Sequence, residues 1–311
     1  MALAEFDLIR RYFATQAACQ PSTKLGIGDD CALLALPADC ELALTTDTMV
    51  ENVHFLAEVD PESLGHKLLA VNLSDLAAMG ADPIAVTLAL TLPRVDEDWL
   101  QAFASGFLRL AKRFQVDLIG GDTTAGPLTL TVQAMGCVPR GQALRRCGAK
   151  PGDRVFVTGR VGDAGLGLKI RQSAVKEWDA SSVLRFERPE PRVAIGRALR
   201  GIATSCIDVS DGVAADLGHI LEHSGVGATL DWNALPLSDA VRRYCQTSGD
   251  WRMPLTAGDD YELCFTIPAD YIGELPADCH YMGQIEAELG LRIRQAGQIH
   301  TLEIKGYEHF S

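Results

Sequence analysis

Between residues 41 and 138 the hydrophobic period switches repeatedly between two residues and a helical turn, and this alternation restricts the fold more than any other feature. ELALTTD (41–47) alternates apolar and polar residues as a strand does and ends in Thr-Thr-Asp. ESLGHKLLAVNLSDLAAMG (62–80) sets Leu64, Leu68, Val71 and Asp75 at helical spacing, with Gly80 placed to close the helix. IAVTLALTLP (84–93) predicts a strand stopped by Pro93, and DEDWLQAFASGFLRLAKRF (96–114) a second amphipathic helix. VDLIG (116–120) predicts a short strand, GGDTTAGP a turn, and LTLTVQAMGCV (128–138) another strand. RGQALRRCGAKPGD (140–153) is rich in Gly, Arg and Pro and marks a domain boundary. Beyond it the pattern restarts with a strand at 154–158, a Gly-rich loop at 159–167, and further helices and strands. The expected fold class is α/β (α+β), with domains over 1–139 and 140–311, rather than a bundle or sandwich.

Composition narrows the function. Hydrophobic residues make up 47% of the chain and charged ones 22%, the profile of a globular protein. No apolar run is long enough to cross a bilayer. MALAEFDLIRRYF lacks the basic-then-apolar order of a signal peptide and predicts an amphipathic helix with Leu3, Phe6, Ile9 and Phe13 on one face. Nine scattered cysteines without a C-x-x-C pair fit reduced thiols, so the expected compartment is the cytoplasm. A formal charge of −13 without a compensating basic block argues against nucleic acid. The same charge would repel a phosphate substrate unless cations mediate the contact.

The carboxylates that could hold such cations gather beside glycines or at strand ends. They are Asp29-Asp30 in GIGDDC, Asp47 in TTDT, Asp122 in GGDTT, Asp208 and Asp211 in IDVSDG, and Asp259-Asp260 in AGDDYEL. Asp75 is different: it lies in an apolar helix beside Leu73, Leu76 and Ala77, where a lone charge is costly. Nearby cations are few, namely Lys24, Arg145 and Arg146. Hard oxygen donors select Mg²⁺ or Ca²⁺, and Mg²⁺ combines carboxylates with water and substrate phosphates. Thr45, Thr46, Thr123 and Ser210 add hydroxyls of the right kind. One Asp-Gly turn alone is ordinarily structural; recurrence across five segments points to metal.

IDVSDGVAADLGHIL predicts a helix with Val213, Leu217, Ile220 and Leu221 in a stripe, Ser210 as N-cap and Gly225 past its end. Its N-terminus would offer N–H groups to a phosphate, and Asp211 in the first turn would hold a metal bound to one. GRVGDAGLGLKI (159–170) reads equally as a phosphate nest or a turn and matches no Walker A loop. HILEH (219–223) fits an inverted zinc-protease pattern, but an amphipathic helix explains it better.

GIGDDCALL, TTDTMVENVHF, AVNLSDLAAMGADP, LIGGDTT, IDVSDG and GDDYELCF, in that order, resemble the thiamine-monophosphate kinase family. The likeness runs from about Phe6 to the C-terminal KGYEHF. This family is related to aminoimidazole ribonucleotide synthetase and selenophosphate synthetase, whose members bind ATP without a P-loop. The resemblance implies a homodimer whose N-terminal domains (1–139, metal, ATP and dimerisation) pair into a β-barrel, while 140–311 completes the nucleotide and substrate site. It implies transfer from ATP to thiamine monophosphate, giving thiamine diphosphate as the last biosynthetic step, with several Mg²⁺ ions. The residues at the family's Mg²⁺ positions are Asp30, Thr45, Thr46, Asp47, Asp75, Asp122, Asp208 and Asp211. Those at its ATP contacts are Gly121, Asp122, Arg146 and Ser210, and those on the substrate side His54, Asp259 and Tyr307. Asp259 stands where the family commonly has Glu, one methylene longer.

This chemistry needs no general base. A phosphate monoester has a second pKa near about 6 and is already ionised at neutral pH. What remains is to bring two anions together and neutralise them. Two other readings share the motifs: a sister enzyme activating an amide or selenide with ATP, and a non-catalytic nucleotide or Mg²⁺ sensor. The tail LEIKGYEHF predicts a last strand with Leu302 and Ile304, then Gly306 and Tyr307, an aromatic wall for thiamine or a cover for the core.

Overall fold

In the computed structural model, residues 5–14, 19–173 and 179–302 are described, and they fall into two compact units: Met1–Leu76 with Ala81–Gly141, and Ala77–Gly80 with Gln142–Ser311. The first carries α1 (Glu5–Leu8), a π-helical turn (Ile9–Phe13), β1 (Thr23–Leu25), β2 (Leu33–Leu34) and β3 (Cys40–Val50). There follow α2 (Pro61–Ala78), β4 (Asp82–Leu92), α3 (Glu97–Phe114), β5 (Asp117–Ala125) and β6 (Thr129–Pro139). The four long strands form one open sheet in the order β3-β6-β4-β5. Only β4 and β5 run parallel, because α3 between them makes a crossover. Asp96 caps α3 by accepting from the Trp99 N–H, and Gln115 closes it in the left-handed region. α2 is apolar on nearly every side: Leu64, Leu68, Leu69, Leu73 and Leu76 are all buried.

Two expectations change in this unit. GGDTT is not a turn: β5 continues through it to Ala125, paired with Leu88–Leu92 of β4. Gly121 permits this, since a Cβ there would lie 1.8 Å from the Leu88 carbonyl oxygen. At the N-terminus, Leu8, Tyr12 and Phe13 are the buried residues. The π-helical bond from Ala14 N–H to Ile9 O, 2.9 Å, rotates the apolar face away from the regular helical one. Leu3 and the Phe6 side chain lie outside the described residues.

The second unit contains β7 (Arg154–Thr158), α4 (Asp163–Arg171), α5 (Ala180–Glu187), α6 (Val193–Ala198), β8 (Ser205–Asp208) and α7 (Val213–Ser224). β9 (Gly227–Asp231), α8 (Asp239–Ser248), α9 (Met253–Thr256), β10 (Leu263–Ile267), β11 (Cys279–Glu286), β12 (Gly290–Gln295) and β13 (Gln298–Leu302) complete it. Its seven-stranded sheet runs β13-β12-β9-β11-β7-β10-β8, with only β12 and β9 parallel. Val213, Leu217, Ile220 and Leu221 of α7 share one core with Val155 and Val157 of β7. The Gly-rich stretch is a loop only as far as Gly162; α4 occupies the rest. Gly167 fits a helix because α5 passes so close that a Cβ would meet the Ser182 carbonyl oxygen at 2.2 Å. Among the described residues no helix is long and apolar enough to cross a membrane.

Candidate active site

Alternation along β3 divides its polar residues between two faces. Thr45 and Asp47 are part-buried with Met49 on the inner side, whereas Thr46 and Thr48 are exposed. α2 brings Asp75 to the inner face, where it accepts a hydrogen bond from the Thr45 hydroxyl and shares one with Asp47. Burial, then the Asp75 charge, then that hydrogen bond raise the Asp47 carboxyl from 3.8 to about 7. Two carboxyls sharing a proton at neutral pH, with a hydroxyl alongside, form a hard-oxygen set that a divalent cation fits in the proton's place.

Other candidates in this unit are placed apart from that pair. In register, Asp47 lines up with Val132, Leu88 and Gly121, while Asp122 pairs with Ala89 on the opposite, exposed face. β3 and β5 are the two edges of the sheet, about 14 Å apart at three strand spacings. The Asp122 and Thr46 side chains therefore share the outer face, and the structure does not bring them to Asp75. Asp29 and Asp30 are exposed between β1 and β2, where Asp29 Oδ1 accepts from the Asp30 N–H at 2.9 Å. Asp117 ties down the approach to that loop, accepting from Cys19 N (2.7 Å), Cys19 Sγ (3.0 Å), Gln20 N (3.1 Å) and Thr23 Oγ1 (2.7 Å). Burial pushes the Asp117 carboxyl up, but these bonds outweigh it and leave the pKa below its ordinary value. His54, just past β3, accepts the Val50 N–H at Nδ1 (3.1 Å), which in the neutral ring leaves the proton on Nε2.

In the second unit the IDVSDG and DDYEL segments are zipped together. Val209 N donates to Glu262 O (2.7 Å), Tyr261 N to Val209 O (2.8 Å) and Asp259 N to Ser210 O (2.9 Å). Asp208, buried at the end of β8, pairs with Leu263. Asp259 and Tyr261 adopt positive φ of 68° and 50°, a conformation Asp tolerates better than most residues. Asp259 is half-buried, while the acids that follow are wholly buried and structural. Asp260 accepts from Gly162 N (2.7 Å) and Ala164 N (3.2 Å), and burial raises its carboxyl to about 8. Glu262 accepts from Arg185 and, bidentately, from Arg192, each bond 2.6 Å, and from Thr158 Oγ1 at 2.5 Å.

One helix N-terminus beside these segments is thus occupied from within. Asp260 fills that of α4. α7 starts at Val213 with Gly212 as N-cap and no side-chain cap, so Ser210 is not the cap and Asp211 precedes the first turn. Asp216, one turn into α7, takes the N–H groups of Asp211 (3.0 Å) and Gly212 (3.1 Å) instead. Gly225 closes the helix in the left-handed region, as expected. Arg146 is exposed. Its flanks are held by Cys206 N donating to Arg145 O (2.7 Å) and by Ser224 Oγ accepting from Gly148 N and Ala149 N, each at 3.2 Å. Tyr307 lies outside the described residues. Among the described residues, no three His, Cys, Asp or Glu side chains form a metal-ligand group. Asp117, Asp216 and Ser224 are not among the residues expected from the sequence, and Asp260, expected among the cation-holding carboxylates, is instead bonded to backbone N–H groups. An acid set among Val, Ala and Leu, the signal at Asp75, was equally present at Asp216.

Comparison with known proteins identifies the family. The family model for "AIR synthase related protein, N-terminal domain" matches residues 28–138, and that for the C-terminal domain residues 150–288. The thiamine-monophosphate kinase of Salmonella typhimurium strain LT2 is 48% identical over 323 residues, spanning 100% of this chain and 99% of that protein. The chain belongs to the thiamine-monophosphate kinase family. It is accordingly a phosphotransferase whose acceptor is itself a phosphate group. The family's solved structures agree in fold. The thiamine-monophosphate kinase of Stenotrophomonas maltophilia K279a superposes with a TM-score of 0.84 at 45% identity, covering 94% of this chain and 97% of that one. A structure described as "AaThiL complexed with AMPPCP and TMP" gives a TM-score of 0.79 at 29% identity, covering 100% and 99%.

Proposed function

We propose that this kinase-family chain moves the γ-phosphoryl group of ATP in line onto the phosphate of thiamine monophosphate, with several Mg²⁺ ions, yielding ADP and thiamine diphosphate. The observation that carries the reading is the Asp47–Asp75 pair beside Thr45, whose shared proton a cation would replace. The N–H groups at the start of α4 serve Asp260, which leaves phosphate contact to cations, Arg146 and the start of α7. Mg²⁺, when bound, would supply the positive charge that lets two anions approach.

The residues proposed to hold it are Asp30, Thr45, Thr46, Asp47, Asp75, Asp122, Asp208 and Asp211. Gly121, Asp122, Arg146 and Ser210 would face ATP. His54 would donate its Nε2–H to the acceptor, with Asp259 and Tyr307 completing that side. The acceptor phosphate arrives ionised, so no side chain need remove a proton. The outer sheet face of β3, where Leu42 and Leu44 are 44% and 58% exposed, together with the open sheet edges, favours a homodimer in which two such sheets close a barrel. Domain roles follow as 1–139 for metal, ATP and dimerisation and 140–311 for completing the site, with the cytoplasm as the proposed compartment.

Steady release of ADP together with thiamine diphosphate on adding thiamine monophosphate tests the reading. ADP formation only with an amide or selenide co-substrate would favour the sister activity. Tight nucleotide binding without turnover would favour the sensor.

A further inference from the structure

We infer that Asp216 is a positioning residue for the nucleotide and metal side of the reaction, fixing the backbone that presents Ser210 and Asp211. This rests on the roles proposed for those two residues. Asp216 is 3% exposed, and its own N–H makes the opening bond of α7 to Gly212 O at 3.0 Å. Helical side chains lean toward the N-terminus, which carries this carboxylate back over the preceding loop. There a single oxygen, Oδ2, receives two successive peptide N–H groups, from Asp211 at 3.0 Å and Gly212 at 3.1 Å.

The loop is gripped from the other side as well. Val209 O and Ser210 O accept from Tyr261 N and Asp259 N at 2.8 and 2.9 Å. Gly212, at φ +110°, turns the chain where a Cβ would lie 3.0 Å from the Leu255 and Ala257 carbonyl oxygens. Val209 and Gly212 are buried, while Ser210 and Asp211 between them are half-buried. Two rigid ends therefore set the direction of two side chains. Removing the Asp216 acceptor would leave adjacent peptide N–H groups unbonded beside the core, and the segment would relax to satisfy them.

Variants of the intact chain test this, with initial rates followed against Mg²⁺, ATP and thiamine monophosphate in turn, and with binding of Mg²⁺ and ATP in the absence of acceptor measured by calorimetry on the same preparations. Asp216→Ala should raise the Mg²⁺ midpoint and the KM for ATP about tenfold, the usual effect of losing a group that orients a ligand. The KM for thiamine monophosphate should rise less than that for ATP, since Asp259, which donates its N–H to Ser210 O, is its one proposed contact within these paired segments. Asp216→Asn keeps a weaker, neutral acceptor and should shift the same two parameters about threefold, which decides the matter if the Ala variant fails to fold. A parent-like Mg²⁺ midpoint and ATP KM in a folded Asp216→Ala, or in Asp216→Asn, overturns the positioning role. Asp211→Asn separates the two levels. If it shifts the Mg²⁺ midpoint and Asp216→Ala does not, the site reading stands and this inference falls. If Asp211→Asn shifts nothing, the site reading itself fails.

Discussion

Asp47→Asn should make the metal-free protein more stable while abolishing its function. Burial and Asp75 hold the Asp47 carboxyl near 7 instead of 3.8. A carboxyl with a raised pKa contributes stability fully below its unfolded value and loses it as pH rises through the folded one. The parent, in chelator, should therefore weaken between about pH 4 and pH 7. Each pH unit in that window is worth about 1.4 kcal/mol, a ceiling of roughly 4 kcal/mol. Asp75 shares the proton, so about half of that, roughly 2 kcal/mol, belongs to removing the Asp47 charge. For a chain of this size that is about 4 °C in Tm. Thermal unfolding in chelator at about pH 8 should thus place the Asn variant above the parent, with a smaller gap at about pH 5. Added Mg²⁺ should raise the parent's Tm and leave the variant's little changed. A variant less stable than the parent at both pH values, or stabilised equally by Mg²⁺, would make the Asp47 carboxylate a structural group and not a cation ligand.

Further outcomes follow from the same site. Asp30→Asn should depress kcat much more than Asp29→Asn, since the Asp29 carboxylate is already engaged with the Asp30 N–H at the bend; equal losses in steady-state rates would remove the distinction. γ-Labelled ATP with Mg²⁺ and no acceptor should leave no label on the protein, and a phosphoenzyme competent to react onward would replace in-line transfer with a two-step route. Tyr307→Ala should raise KM for thiamine monophosphate severalfold with kcat and ATP KM nearly unchanged. A lower Tm with both KM values normal would assign Tyr307 to the core.

The sheet strands and α3 were legible because their periodicity is local. What failed depended on distant neighbours. GGDTT carries turn composition, yet β4 pairs with it throughout, and that pairing is invisible from within the segment. Gly165 and Gly167 weaken a helix by propensity, but α4 keeps them for contact with neighbouring chain, against Ala257 and Ser182. Ser210 had the right identity for an N-cap and lost the position to Gly212, because Asp216 reaches back over it. In the sequence Asp75 and Asp47 stand out separately, one for its apolar helix and one for its strand end. That they meet follows only once α2 packs on the inner face of β3. The net charge gave the most transferable clue: an acidic chain handling phosphate needs cations.

The Asp47–Asp75 pair is proposed to serve the reaction and not the fold. The most direct measurement is kcat for Asp75→Asn at saturating ATP, Mg²⁺ and thiamine monophosphate, with Tm recorded on the same preparation. A loss of at least about a hundredfold is expected, the scale for one electrostatic stabiliser, in a protein that melts no lower than the parent in chelator. Near-normal turnover in that variant would contradict it.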